Sequence, residues 1–461
     1  MRLRSIALLA FAPLLHAIPR PADWVPVRWP WSSLESLDLL RGTPINCVLL
    51  RTYPEDLVAA ANGRGLVTLA VLTPSADLVA SARRALAAKV TGLVLEGDFP
   101  EGAAASVREA AAGAPVIELT ARNRLALGST AAVIGTYQGV WPGIAIDENG
   151  AKKSGPTASV WIDTNTGFLR SARAWGDNAV WIANLPPPKT AVTGSRYLQV
   201  IADAAISGAR WVLSLDDDFI ARLAKQDAAA IADWKRIAGL LQYFEQHPEW
   251  RQMKESGKLA VVQDPAKGGL LSGGILDMIA VKHTPVRPIA RQQLSPKALE
   301  GATMAVNVDG DALSPDQKEV LRGFTRGGGT LLTGPPGWKD PTPGAGKITL
   351  ESAELERLND IWHDVNSMVG RRNMGVRLFN VSSMLSNFLA SADGRSAVLH
   401  LVNYSDYPVE DVAVHYLGQY RHATLITPEG VEKKLEVYET DEGLGVDIDK
   451  VSVCATVRLE L

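Results

Sequence analysis

From about residue 44 to 216 the chain repeats one unit: a short apolar, β-rich run, a polar turn, then an Ala-rich helical run. The strand-like runs are 46–50, 67–72, 92–95, 115–119, 132–135, 159–163, 179–183 and 211–215. They are continuously apolar rather than alternating, as strands buried on both faces are. Amphipathic stretches at 76–88, 103–112 and 196–207 separate them. Strand, helix, strand at this spacing implies parallel pairing with crossovers. Eight units predict closure into a (β/α)₈ TIM barrel over 18–255, with functional residues at the C-terminal ends of the strands. An open doubly wound sheet is the alternative.

The 461 residues exceed one core. After Pro248 a smaller α/β segment, 256–350, alternates strands at 258–264, 302–308 and 329–333 with helices at 274–280 and 314–324. Ser314-Pro315-Asp316-Gln317 is a helix start, with a capping hydroxyl and Pro at the first turn. Helical patterning is read to about Phe388 within the last segment, 351–461. Short strands and turn signals then predict an antiparallel β-sandwich.

Residues 1–17 read as a signal peptide: Arg2 and Arg4 form a basic start, an apolar run spans Ile6–Leu15, and Ala17 is the small residue before cleavage. Export follows, and no other run is long enough to span a bilayer. The two cysteines, Cys47 and Cys454, each lie in an apolar strand and read as buried thiols. A net charge of −3 argues against a nucleic-acid partner.

Gly327-Gly328-Gly329-Thr330-Leu331-Leu332 and Leu399-His400-Leu401-Val402-Asn403-Tyr404 carry a family likeness. The first resembles the helix-to-strand turn of a glutamine-amidotransferase-like domain, the second a strand of the small sandwich in carbohydrate-active enzymes. Together with the domain order, the chain resembles glycoside hydrolase family 42 β-galactosidases. The resemblance implies a carbohydrate partner and a middle domain used for homo-oligomer contacts. It does not carry over the family's catalytic pair. Ile117 stands before Glu118 where the family has Asn, and the seventh strand ends Ala183-Asn184 without an acid.

Glycosidases use two carboxylates flanking the scissile bond. The acids at predicted strand ends are Glu96, Glu118, Asp163 and Asp216, and these are the candidate catalytic residues. Three of them have a structural reading as well: Asp163 as a helix cap, Asp216 as a turn, Glu118 as the partner of Arg122 or Arg124. Sugar rings stack on aromatics and bond planar polar groups, so Tyr137, Gln138, Trp141, Asn165 and Asn184 are candidate substrate contacts. Trp161 and Trp181, inside strands, read as core. No motif calls for a cofactor. Gly344-Ala345-Gly346-Lys347 fails the phosphate-loop pattern, Gly268-Gly269 lacks dinucleotide spacing, and no acid cluster has EF-hand spacing. The leading expectation is a secreted glycoside hydrolase. The alternative is a non-catalytic carbohydrate-binding or scaffold protein with a degenerate barrel, and a third is a cell-surface adhesion module.

Overall fold

The computed structural model describes residues 19–142, 144–146, 152–154, 165–264, 283–307, 309–334, 352–370, 373, 375–381 and 383–461. Eight parallel strands form the first sheet: β1 (Pro26–Arg28), β2 (Cys47–Leu50), β3 (Val67–Leu72), β4 (Gly92–Glu96), β5 (Val116–Thr120), β6 (Val133–Thr136), β7 (Ala179–Ala183) and β8 (Arg210–Val212). The sheet closes on itself. The Arg28 amide donates to the Leu213 carbonyl at 2.8 Å, and the Leu213 amide to Pro26 at 3.2 Å. A short antiparallel hairpin pairs 144–146 with 152–154.

The strand count agrees with the sequence reading, but one member differs. β6 bonds directly to β7, with Val133 opposite Ala179, so no strand stands between them. The predicted strand 159–163 lies outside the described residues. The eighth place belongs to Pro26–Arg28, a run whose proline and arginine disguise it. Pro26 is the first residue of its strand, where a missing N–H is tolerated.

Alternation divides the strand side chains into two sets. Cys47, Leu49, Leu69, Val94, Ile117, Leu119, Val133, Trp181 and Val212 fill the lumen. Trp24 lies against Trp181 with ring centroids 6.4 Å apart. Val27, Leu50, Leu72, Leu95, Ile134, Ile182 and Leu213 point outward into the core shared with the helices. Gly135 is small because a Cβ there would lie 2.3 Å from Leu119 Cδ2. The helices include α1 (Glu55–Gly63), α2 (Leu78–Ala87), α3 (Ala103–Ala110), α4 (Thr166–Trp175), α5 (Gly194–Ala205), α6 (Asp217–Ala224) and α7 (Ala228–Glu245).

A second parallel sheet has the order β10-β9-β11-β12, from β9 (Leu259–Gln263), β10 (Val286–Ala290), β11 (Met304–Asn307) and β12 (Thr330–Thr333). Between the last two runs α8 (Pro315–Arg326), started by a complete Ser314–Gln317 capping box. The predicted helix 274–280 lies outside the described residues. Helix α9 (Ser352–Val369) follows, and then two antiparallel sheets. One holds β14 (Met384–Ala390), β15 (Ser396–Asn403), β21 (Cys454–Glu460), β17 (His422–Ile426) and β18 (Glu432–Leu435), with Lys254–Glu255 at its edge. The other holds β13 (Val376–Phe379), β16 (Val409–Tyr416), β20 (Gly443–Val451) and β19 (Tyr438–Thr440).

Helical structure ends at Val369, not near Phe388, which is in mid-strand. β14 misleads because both its faces are covered. Met384 and Phe388 pack into the sandwich core, while Leu385 and Leu389 pack against the barrel helices. No alternation of polar and apolar residues survives such burial. Cys47 and Cys454 are buried free thiols, both pushed up in pKa by burial. Among the described residues no helix is long and apolar enough to cross a membrane.

Barrel and sandwich share one apolar core. His400 is sealed within that seam, beside Trp250 with centroids 5.0 Å apart and with its Nδ1 2.8 Å from Thr456 Oγ1. Burial, followed by the Arg173 and His247 charges, lowers its pKa to about 3. The unfolded chain binds the proton below about pH 6.5 and the folded chain does not, so stability falls as pH drops from about 6.5 toward 3. The slope from this group is about 1.4 kcal/mol per pH unit. Between pH 7 and 5, urea unfolding of the wild type is expected to lose about 2 kcal/mol more than that of His400→Leu. Equal losses in the two proteins would exclude His400 as the source.

Candidate active site at the barrel rim

Val94 faces the lumen, so Glu96, two residues later on β4, faces it too. Arg28 ends β1 next to outward-facing Val27 and therefore also turns inward. The two meet across the mouth. Arg28 Nη1 and Nη2 each donate to one Glu96 oxygen, both at 2.6 Å. This is the bidentate fork geometry that makes charge-assisted pairs strong. The side chains are 11% and 14% exposed, so the pair is largely desolvated yet reachable from the rim. Arg28 Nε has no hydrogen-bond partner among the described residues.

Gly97, at φ +121°, turns the chain beyond Glu96, a conformation that disfavours any side chain. Asp98 comes next and is 44% exposed. It accepts from the Tyr137 hydroxyl at 3.0 Å and from the Ala121 amide at 3.3 Å, with Arg124 at 3.7 Å. Burial and then the Asp98 carboxylate raise the Tyr137 pKa, so the phenol stays a donor. The end of β4 thus carries two carboxylates, the first paired with an arginine and the second with a tyrosine.

The other predicted residues are placed differently. Glu118 is not at the mouth. Its neighbours Ile117 and Leu119 occupy the lumen, so Glu118 points outward and pairs with Arg108 of α3, not with Arg122 or Arg124. Asp216 is at the rim but buried, and both its oxygens are engaged. Oδ1 accepts from the Asp218 and Phe219 amides and caps α6. Oδ2 accepts from Tyr197 Oη at 2.7 Å and the Val192 amide at 3.3 Å. Burial foremost, then Asp216, pushes the Tyr197 phenol well up. Asp163 lies outside the described residues.

Trp141 is 5% exposed and packs edge-on against Tyr197 and Trp211 at 5.5 and 5.3 Å. Its Nε1 donates to the Leu185 carbonyl at 3.0 Å, so it seals the rim and offers no open ring face. Asn184 is half-buried and donates to the Gly139 carbonyl at 2.7 Å. Gln138 Oε1 accepts from the Arg122 amide. Asn165 is wholly buried. Its Oδ1 accepts from the Val140 amide and Arg122 Nη2, and its Nδ2 donates to Asp203 at 2.8 Å. Gln138, Trp141 and Asn165 therefore hold the loop after β6, whereas Tyr137 reaches Asp98 at the end of β4. An open groove of about 420 Å³ lies beside the rim, between Leu185–Ala191 and Leu215–Asp218.

Asp203 carries this support down to the sandwich. The Tyr404 hydroxyl donates to its other oxygen at 2.6 Å. Burial raises the Asp203 pKa against the pull of hydrogen bonds from Tyr404 and Asn165. Arg28, Arg122, Asp203 and Tyr404 were not among the sequence candidates. Arg28 sits in an unread strand, and Tyr404 meets Asp203 from 201 positions away. Among the described residues no group of three His, Cys, Asp or Glu is arranged to hold a metal ion.

No protein-family model and no curated protein matches the sequence. Solved structures match the fold. The α-L-fucosidase isoenzyme 2 from Paenibacillus thiaminolyticus superposes with a TM-score of 0.62 at 9% identity, over 95% of this chain and 99% of that one. The likeness is one of fold, a parallel eight-stranded barrel followed by a β-sandwich. A β-galactosidase from Rahnella sp. R3 gives a TM-score of 0.47 at 9% identity, over 91% of this chain and 95% of that one. A glycoside hydrolase family 42 β-galactosidase from G. stearothermophilus gives 0.46 at 10% identity, over 78% and 66%. At 9% identity the likeness to the fucosidase concerns the fold, not its chemistry.

Removing Arg28 strands a mostly buried carboxylate. Arg28→Met is expected to cost about 3 kcal/mol in urea unfolding. The double variant Arg28→Met/Glu96→Met is expected to recover a large part of that loss. Additive single and double losses would show the pair to be uncoupled.

Proposed function

We propose that this chain is an exported glycoside hydrolase that works on oligosaccharide at the rim formed by the end of β4. The observation that carries the reading is the placement of Glu96 and Asp98. They are two residues apart at one strand end, the first gripped by Arg28 and the second by Tyr137. Hydrolysis of a glycosidic bond needs one carboxylate aimed at the anomeric carbon or its attacking water, and a second group to protonate the leaving oxygen. Glu96 is the aimed group, its two oxygens oriented by the Arg28 fork. As substrate enters, a sugar hydroxyl takes over one guanidinium donor and releases one Glu96 oxygen toward the ring.

Asp98 and Asp163 are the two candidates for the proton donor. Asp163 stands two residues before Asn165, whose amide and side chain are both pinned. Asp98 and Tyr137 contact the substrate hydroxyls in either case. The groove between Leu185–Ala191 and Leu215–Asp218 has room for sugar units beyond the bond that is cut. Export rests on the basic, then apolar, residues 1–17.

One observation favours a second reading, a barrel that binds sugar without cutting it. Both Glu96 oxygens are occupied by Arg28, and Asp216 serves as a helix cap. Incubation with aryl glycosides and labelled oligosaccharides separates the two readings: ligand that is bound yet intact after long incubation selects the second. If the hydrolase reading holds, Glu96→Gln is expected to lower kcat at least about 100-fold. Glu118→Gln, on the outer face, is expected to stay within about twofold. Unchanged turnover in Glu96→Gln would remove Glu96 from the mechanism.

A further inference from the structure

The four-stranded sheet of the sandwich has an outer face that the rim chemistry does not use. Val376, Leu378, Val412, Val414, Val446 and Ile448 point into the sandwich core. The alternate residues of the same strands therefore point out. Arg377 lies opposite His415, and His415 opposite Gly445, which in turn lies opposite Tyr438. One row thus runs across all four strands. Phe379 and Asp447 flank it.

Three rings form a stripe along that face. Phe379 and His415 have centroids 4.6 Å apart, and His415 and Tyr438 6.3 Å. The stripe is continuous because the position between His415 and Tyr438 is a glycine. A Cβ on Gly445 would lie 2.4 Å from Tyr438 Cε2, so only glycine lets the tyrosine ring settle on the sheet. The rings are half-buried and border an open groove of about 830 Å³, lined among the described residues by these strands and the turn through 439–442.

Polar groups stand along the edges of the stripe. Arg377 pairs with Glu442 and places its guanidinium 4.9 Å from the Phe379 ring centroid. Tyr438 Oη donates to Asp447 at 2.8 Å. His415 Nδ1 and Glu442 Oε2 face each other at 3.7 Å, too far for a hydrogen bond. Both atoms are buried, and neither has a hydrogen-bond partner among the described residues.

From this arrangement we infer that the outer face of the four-stranded sheet is a second carbohydrate site, a non-catalytic one that holds an uncharged oligosaccharide. The inference rests on the carbohydrate reading of the barrel. Sugar C–H faces stack on the ring stripe, and sugar hydroxyls meet the polar groups along its edges, Tyr438 Oη and Asp447 among them. The surroundings select against anionic ligands. Glu439, Asp441, Glu442 and Asp447 outnumber Arg377, which repels phosphate, sulfate and uronate groups. The site keeps a long chain attached while the barrel rim works on another part of it, raising the local concentration of glycosidic bonds.

The full chain, carrying Glu96→Gln to block hydrolysis, is titrated calorimetrically with cellohexaose, xylohexaose, β-1,4-galactohexaose and β-1,4-mannohexaose. At least one is expected to bind with two sites per chain. Tyr438→Ala and Phe379→Ala are each expected to weaken one of those sites about tenfold, the usual weight of an aromatic contact. Tyr438→Phe, which keeps the ring and drops the Asp447 bond, is expected to retain most of the affinity, so loss in Tyr438→Ala is not loss of folding. With Glu96 intact, Tyr438→Ala is expected to leave turnover of a short aryl glycoside unchanged. Hexasaccharide binding that neither alanine variant alters would overturn the sandwich site and leave the barrel reading standing. No binding of any hexasaccharide would overturn both.

Discussion

The hydrogen bonds between Arg28 and Leu213 and between Leu213 and Pro26 turn an eight-stranded sheet into a cylinder. Much else depends on that closure. A parallel barrel puts the C-terminal ends of all its strands on one rim, so residues far apart in sequence become neighbours there. It also brings β1 and β4 to face each other across a lumen only wide enough for side chains. Arg28 and Glu96, 68 positions apart, can then join over the mouth. The same short strand that closes the sheet supplies the cation that orients the Glu96 carboxylate.

Support for the rim comes from below and from the side. Asn165, Arg122 and Gln138 hold the loop after β6, and Asp203 ties that group to Tyr404 of the sandwich. Arg170 and Arg196 reach from α4 and α5 to Ser386, Asn387 and Asp406. Barrel and sandwich therefore do not behave as beads on a string. They share a core in which buried polar groups find partners across the seam, and partial satisfaction of such a network costs more than an apolar contact would. The placement of the candidate substrate loop is in this sense a property of both domains.

The candidate site was partly legible. The run Leu95-Glu96-Gly97-Asp98 marks acids at a strand end, and Tyr137 follows another strand; the structure brings Asp98 and Tyr137 into contact. Glu118 could not be placed from its neighbours, because facing the lumen or the helices is a matter of one residue of register. Trp141 looked like a ring for stacking, but whether an indole shows its face or seals a gap is decided by what packs on it, here Tyr197 and Trp211. Arg28 was invisible because its strand is three residues long and opens with proline.

Local chemistry was enough to announce repeated strand–helix units, the helix start at Ser314-Pro315 and the late shift to antiparallel strands, since periodicity and caps act over a few residues. It was enough to name most of the acids that end strands. Only the tertiary structure decided which eight strands close the barrel, which face each acid shows, and that His415, Gly445 and Tyr438 stand in one row. Those outcomes depend on register between strands and on contacts across tens to hundreds of positions, and no short stretch of sequence carries that information.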